Sequence, residues 1–210
     1  MSTQTNVARG ARQLVEDYRR LQQQLALAVG GTGAHVVAFT APAAGCGRAT
    51  LCSNLAILTA QSGKRVLVVD ADLYAPAQHR NFRTAPGQGL ADAAAGLCRA
   101  EDCLVRAVAP GVDLLPAGTV PGDPAPLLGG ARFPALLAEI GRGYDLVFMD
   151  APDMGRPCAA AALSAADGAV LAVRSCRTRA SRAAACAEAL RQQAVPLLGI
   201  VVTGVPDGRK

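Results

Sequence analysis

Residues 36–50 read VVAFTAPAAGCGRAT, the most informative segment of the sequence. An apolar run short enough for one buried strand leads into a loop of small residues, and a helical pattern starts at Leu51. In such a strand–loop–helix unit, consecutive backbone N–H groups and the N-terminus of the helix can cradle phosphate groups. We therefore predict a phosphate-binding loop formed by Ala44, Gly45, Cys46, Gly47, Arg48, Ala49 and Thr50.

The end of this loop departs from the usual sequence of the motif. A phosphate-binding loop typically ends in Gly-Lys-Ser/Thr, where the lysine contacts the β- and γ-phosphates and the hydroxyl binds Mg²⁺. Arg48 and Ala49 hold those two places here, and Thr50 stands next to them. Arginine keeps the positive charge but is planar and bulkier, and alanine removes one oxygen ligand of the metal. The sequence predicts a phosphate cradle with weakened chemistry.

Short apolar segments alternate with helical patterns along the rest of the chain. Such alternation implies a parallel sheet that is covered on both faces. We predict an α/β fold with a doubly wound, mostly parallel sheet of the P-loop NTPase type over residues 34–210, preceded by a helix and linker over residues 1–33. Further strands are predicted at 66–69, 112–115, 144–150, 169–173 and 197–202, helices at 7–29, 51–60, 90–97, 133–140 and 182–193, and loops at 74–89 and 119–130.

Acidic residues follow two of the predicted strands. Asp70 and Asp72 come directly after the apolar run 66–69, and Asp150 ends the strand 144–150. In parallel sheets ligands bind outside the carboxyl ends of the strands, where a metal ion or an attacking group would lie. An aspartate can also cap a turn, but the D-x-D spacing beside a phosphate loop favours function. We predict that Asp70, Asp72 and Asp150 are catalytic.

The composition limits the classes of protein to consider. The chain has 210 residues, 51% of them hydrophobic and only 3% aromatic, which fits one domain with a core of alanine, valine and leucine. Its net charge of +5 is modest, and we expect no nucleic-acid partner. No apolar run is long enough to cross a bilayer, and the N-terminus is polar through Asn6, so we expect a cytoplasmic protein.

The seven cysteines are scattered along the chain. Cys98 and Cys103 lack a second Cys or His pair that would complete a zinc site. We expect reduced thiols that serve as small buried side chains. Cys46 differs, because a helix N-terminus in the phosphate loop would favour its thiolate, although filling the loop is the simpler role.

With these segments assigned, the chain resembles the bacterial tyrosine kinase family. These are cytosolic ATPases tied to exopolysaccharide and capsule export, related to the partition and septum-site ATPases. The order and spacing of several short motifs carry the resemblance together, although each is weak alone. The motifs are EDYRRL (16–21), VVDADLYAP (68–76), LPAG (115–118), PAPLL (124–128) and YDLVFMDAP (144–152).

The resemblance implies a set of ligands and roles. Members bind ATP and Mg²⁺, phosphorylate tyrosines, respond to a membrane-bound polysaccharide co-polymerase or activator, and form rings through the N-terminal helix. A partner of that kind would recruit the chain to the inner face of the membrane. By resemblance Asp70 is the base near the attacking hydroxyl, and Thr203 takes the place of an asparagine near the adenine of ATP or ADP. The metal ligands implied are Thr50, Asp72 and Asp150.

Several positions depart from the family pattern. Besides Arg48 and Ala49, Tyr74 replaces the arginine of the D-x-D-x-R motif, and Gln22 replaces the third member of E-x-x-R-x-x-R. We favour a regulatory pseudoenzyme with weakened or lost tyrosine phosphorylation over an active kinase or ATPase of the same family. A partition-like positioning ATPase is the third hypothesis. It lacks support, because Ala43 stands where that group carries an extra lysine.

Overall fold

The computed structural model describes residues 15–26, 35–120 and 122–205. The helices are α1 (15–26), α2 (Arg48–Ala60), α3 (Gln78–Asn81), α4 (Leu90–Ala95), α5 (Ala125–Gly129), α6 (Arg132–Gly141), α7 (Ala159–Leu163) and α8 (Ala180–Gln192). The strands are β1 (His35–Thr40), β2 (Val66–Asp70), β3 (Val105–Ala109), β4 (Val112–Leu115), β5 (Leu146–Asp150), β6 (Gly168–Arg174) and β7 (Leu197–Thr203). A short 3₁₀ helix spans Ala100–Cys103. The predicted helix 7–29 is confirmed over 15–26, and its remainder lies outside the described residues.

The strands of the described chain form one sheet in the order β3–β4–β2–β5–β1–β6–β7. Every neighbouring pair is parallel except β3 and β4 at one edge. The predicted α/β fold with a mostly parallel, doubly wound sheet is therefore confirmed. The sheet places the carboxyl ends of β1, β2 and β5 side by side, which is where the phosphate loop and the acidic residues lie.

The prediction of uninterrupted loops at 74–89 and 119–130 is wrong. The first contains α3, whose first backbone N–H groups are bound by the carboxylate of Asp70. The second contains α5, which has proline at its start and Asp123 accepting from the N–H of Ala125. The edge strand β3 and the short helix α7 also escape the sequence pattern. These elements are only four or five residues long, which is too short to show a hydrophobic periodicity.

The two faces of the sheet are covered by different helices. On β2, which is entirely buried, Val66 and Val68 pack in the cluster that includes residues of α1 and α2. Leu67 and Val69 point to the opposite face and pack in the cluster that includes α4, α6 and α7. Side chains alternate along the strand and therefore contribute to the hydrophobic cores on both faces of the sheet. The core uses few aromatic rings, and Phe39 packs edge-on against Phe148 with 5.1 Å between the ring centres.

The N-terminus of α4 is joined tightly to the segment that follows β4. The N–H of Leu90 donates to the carbonyl of Pro116 at 2.8 Å. The buried Asp92 carboxylate accepts from the N–H of Gly89 at 2.8 Å and of Thr119 at 2.9 Å. A Cβ atom on Gly89 would lie 2.1 Å from the Pro116 carbonyl oxygen, so only glycine allows this approach.

We expect Gly89→Ala to destabilise the fold by about 3 kcal/mol, because the added methyl group overlaps a backbone atom that cannot move freely. The measurement is the free energy of unfolding in urea. Gly87→Ala is the matched control, since a Cβ at Gly87 meets nothing within 4 Å. Equal stability of the two variants would contradict the close packing described for this junction.

Candidate functional site

The phosphate loop has the shape that the sequence predicts. It connects β1 to α2, with Gly45 at φ 79° and Gly47 at φ 78°, both in the left-handed region that glycine adopts readily. Gly47 is the residue before the first turn of α2, and its carbonyl accepts from the N–H of Leu51 at 2.9 Å. The loop thus leads its backbone N–H groups into a helix N-terminus. Loops of this shape can bind phosphate groups.

Side chains at the ends of β6 and β7 contact the loop backbone. The Thr203 hydroxyl donates to the carbonyl of Cys46 at 2.6 Å, and Arg174 Nη1 donates to the carbonyl of Gly45 at 3.2 Å. The Cys46 thiol is buried and lies 3.7 Å from the Thr178 hydroxyl. Thr203 therefore supports the loop backbone in this structure, and its role beside an adenine stays a prediction.

The three predicted acidic residues lie together at the carboxyl ends of the strands. Asp70 ends β2 and Asp150 ends β5, and the two residues are direct partners in the register of these strands. Asp72 follows two residues after Asp70. All three are buried, with exposures of 0% for Asp70, 4% for Asp72 and 0% for Asp150. Carboxyl groups at this depth need cations or donors around them.

Arg48 supplies the cation for two of these carboxylates. Its Nε donates to Asp150 Oδ1 and its Nη2 to Asp72 Oδ2, each at 2.5 Å. The arginine is itself only 8% exposed. Burial alone would lower the pKa of Arg48, but Asp150 and Asp72 raise it above its ordinary value, so the guanidinium stays charged. The side chain that begins α2 thus points to the acidic cluster.

Gln78 completes the contacts around Asp150. Its Nε2 donates to Asp150 Oδ2 at 2.7 Å and to the carbonyl of Ala49 at 3.1 Å. Gln78 is fully buried and belongs to α3, inside the segment that the sequence predicts as a loop. Sequence reasoning missed this residue, because no motif or periodicity marks it. Both oxygens of Asp150 are therefore occupied by donors from the chain itself.

Asp70 has a different environment. Its Oδ2 accepts from the N–H groups of Ala77 at 2.9 Å and Gln78 at 2.8 Å, while its Oδ1 is buried without a hydrogen-bond partner. Burial and the neighbouring Asp150 raise the pKa of Asp70 to about 7. Asp70 is thus the carboxyl group of this cluster that Arg48 does not contact.

A Mg²⁺ ion does not fit the site in this arrangement. Asp72 Oδ2 and both oxygens of Asp150 are taken by Arg48 and Gln78, and a guanidinium lies between the two carboxylates. Ala49 offers no hydroxyl, and Thr50 is exposed. Among the described residues, no cluster of three or more His, Cys, Asp or Glu side chains is arranged to hold a metal. With Arg48 in this position, Asp72 Oδ2 and Asp150 are engaged by the chain itself, and the metal-binding role of Thr50, Asp72 and Asp150 stays a prediction.

Tyr74 occupies the place of the family arginine beside this cluster. The guanidinium of Arg156 lies 4.7 Å from the centre of its ring, a distance typical of a cation–π contact. Tyr74 is partly buried against the core that contains α4 and α7. Tyr74 thus contacts the core and Arg156 in this structure.

Comparison with known proteins agrees with this geometry. The AAA domain family matches residues 34–187, which is most of the chain. The tyrosine-protein kinase YwqD of Bacillus subtilis is 32% identical over 190 residues, covering 90% of this chain and 80% of YwqD. The chain belongs to the bacterial tyrosine kinase family.

Longer relatives and a solved structure extend this finding. The kinase domain of the Escherichia coli tyrosine kinase ETK superposes on this family member with a TM-score of 0.87 at 28% identity, covering 93% of this chain and 77% of that domain. The EpsB protein of Ralstonia nicotianae is 36% identical over 159 residues, covering 76% of this chain but only 21% of EpsB. The chain therefore spans about a fifth of the length of such relatives. Among the described residues, no helix has the length and apolar character to cross a bilayer.

The pKa of Asp70 predicts how stability depends on pH. Between roughly pH 4 and pH 7 the folded chain holds a proton on Asp70 that the unfolded chain has released, so this group makes stability fall as the pH rises. We expect Asp70→Asn to gain stability relative to the wild type on going from about pH 5 to about pH 8. Urea unfolding at both pH values measures this change.

The exposed Asp102 provides the control, as Asp102→Asn removes a carboxyl group outside the buried cluster. Its stability relative to the wild type should change little between the two pH values. If the difference for Asp70→Asn also stays constant, the buried carboxyl group does not bind a proton as described.

Proposed function

We propose that this chain acts in exopolysaccharide biosynthesis or export as a regulatory member of its family, with weakened or lost phosphorylation of tyrosine. One observation carries the proposal: the Arg48 guanidinium lies between Asp72 and Asp150. The chain keeps the fold of a kinase domain, while the charged groups that would handle phosphate and metal are bound to each other.

Phosphoryl transfer depends on positioning and on charge stabilisation. In P-loop proteins the lysine of the loop reaches the β- and γ-phosphates, and carboxylate and hydroxyl groups hold a divalent cation. Here the cation at the lysine position faces the carboxylates instead of the phosphate cradle. The same contact thus removes the positive charge from the phosphates and blocks the metal ligands. Loss of one such group typically costs on the order of 10²-fold in rate.

The cradle itself supports binding of ATP or ADP. Gly45 and Gly47 keep the loop conformation that directs backbone N–H groups at an anion, and these groups do not depend on the Arg48 side chain. Binding through the backbone would be weak and would not require Mg²⁺. Nucleotide bound in this way would regulate the chain rather than donate a phosphate group.

The proposal includes a membrane-bound polysaccharide co-polymerase as the partner and a cytoplasmic location at the inner face of the membrane. Family membership supports both. Assembly through the N-terminal helix has less support, because Gln22 Nε2 donates to Ser62 Oγ at 3.1 Å in its own chain. The Tyr18 hydroxyl likewise accepts from Asn54 Nδ2 at 3.1 Å. The described part of α1 is thus docked on α2.

An active kinase or ATPase of the same family is the alternative, and Asp70 favours it. Its Oδ1 is buried and unpartnered, so a carboxylate oxygen is free to accept the proton of an attacking hydroxyl. For this chemistry Arg48 would have to leave Asp72 and Asp150. Nothing else in the described contacts of Asp70 would have to change.

The two functions predict different binding of ATP. We expect calorimetry to show weak ATP binding by the wild type that Mg²⁺ does not strengthen. The double variant Arg48→Lys with Ala49→Ser should bind ATP at least about 10-fold more tightly in the presence of Mg²⁺, because it restores the lysine and the hydroxyl ligand. Each single variant separates the contribution of charge position from that of the hydroxyl.

Arg80→Lys is the matched control, since Arg80 is exposed and makes the same exchange away from the loop. It should bind ATP as the wild type does. Tight, Mg²⁺-dependent binding by the wild type, together with phosphotyrosine on a co-expressed tyrosine-rich peptide, would contradict the regulatory proposal and favour the kinase.

A further inference from the structure

Two cysteines meet between α4 and the start of β3. Cys98 follows the end of α4, and Cys103 ends the 3₁₀ helix that leads to β3. Their Sγ atoms lie 2.7 Å apart. Both are free thiols in this structure. No role in the phosphate site or in metal binding accounts for the pair.

The two thiols differ in their access to solvent. Cys98 is partly exposed and lines a cavity of about 240 Å³, large enough for a small oxidant. Cys103 is buried, with 5% exposure, and its Sγ donates to the carbonyl of Arg99 at 3.3 Å. Charged groups of both signs line the same cavity. They are Arg99, Glu101, Arg132 and Glu139.

We propose that Cys98 and Cys103 are a redox modification site, in which a hydroperoxide oxidises Cys98 and Cys103 then closes an intrachain disulfide. Access decides the order, because a small molecule in the cavity reaches Cys98 first. Burial and the adjacent Cys98 also raise the pKa of Cys103 to about 12, so Cys103 stays a thiol until its partner has reacted.

The chemistry balances with the hydroperoxide as the only oxidant. The Cys98 thiolate attacks one peroxide oxygen, the O–O bond breaks, and the products are a sulfenic acid and hydroxide or an alkoxide. The Cys103 sulfur then attacks the Cys98 sulfur, the S–O bond breaks, and water leaves with the proton of Cys103. Two thiols are oxidised to one disulfide, and the peroxide is reduced. A dithiol reductant reverses the reaction.

The contact between the sulfurs makes this closure easy. Because the Sγ atoms already touch, forming the bond needs rotation of two side chains rather than movement of an element. The bond would tie the C-terminal end of α4 to the residues just before β3. Since the N-terminal end of α4 is bonded to the segment after β4, oxidation would fix this helix at both ends.

The sequence offers a direct assay, because Arg99 lies between the two cysteines. Trypsin releases residues 84–99, which contain Cys98, and residues 100–106, which contain Cys103. The folded full chain is treated with hydrogen peroxide, remaining thiols are alkylated, and the digest is analysed without reductant. We expect the two peptides joined by a disulfide and separated by dithiothreitol.

Variants separate the proposal from general thiol oxidation. Cys176 is exposed, so Cys176→Ser is the background in which free thiols are counted, and the count should fall from six to four. Cys103→Ala should give no joined peptides and should leave a sulfenic acid at Cys98 that dimedone traps. Cys98→Ser should leave Cys103 reduced. The proposal is overturned if the peptides remain separate in the wild type, or if Cys103 is oxidised in Cys98→Ser as fast as Cys98 is in Cys103→Ala.

Discussion

The ion pairs of Arg48 with Asp72 and Asp150 determine the character of this domain. A buried carboxylate pair needs a positive charge within contact distance, and removing that charge typically costs several kcal/mol. In most P-loop sites an exchangeable divalent cation provides it. Here the positive charge belongs to the side chain of Arg48, the first residue of α2, so it lies between the two carboxylates without a bound metal ion. The same guanidinium cannot both stabilise these buried carboxylates and bind a phosphate group in the loop.

The order of the strands brings Arg48 and the carboxylates together. Strands β2 and β5 are neighbours in register, which sets Asp70 beside Asp150, and β1 on the other side of β5 delivers the loop and Arg48. An arginine at that position is long enough to reach both Asp72 and Asp150 at the carboxyl ends of the strands. A lysine would place a single point charge there, whereas the planar guanidinium contacts two carboxylates at once. The substitution is therefore conservative in charge and not in geometry.

Much of this arrangement follows from local sequence. The hydrophobic pattern predicts the strand and the helix, and the small residues between them predict the loop. The acidic residues are predicted from their positions directly after apolar runs. The direction of the Arg48 side chain cannot be predicted in this way, because the residue type specifies the charge but not the rotamer. The role of Gln78 could not be predicted either, because the start of α3 depends on hydrogen bonds from its first N–H groups to the Asp70 side chain. The edge strand β3 mixes charged and apolar residues and shows no clear alternation.

The hydrogen bond from Thr203 to the carbonyl of Cys46 joins residues that are 157 positions apart. Thr203 is the last residue of β7, which pairs with β6 at the edge of the described sheet. During synthesis, residues 44–50 leave the ribosome long before β7 is available to pair. Contacts of such sequence separation form late, because the chain between them must be ordered first. The phosphate loop is thus translated before β7, and its hydrogen bond with Thr203 forms only after β7 has joined the sheet.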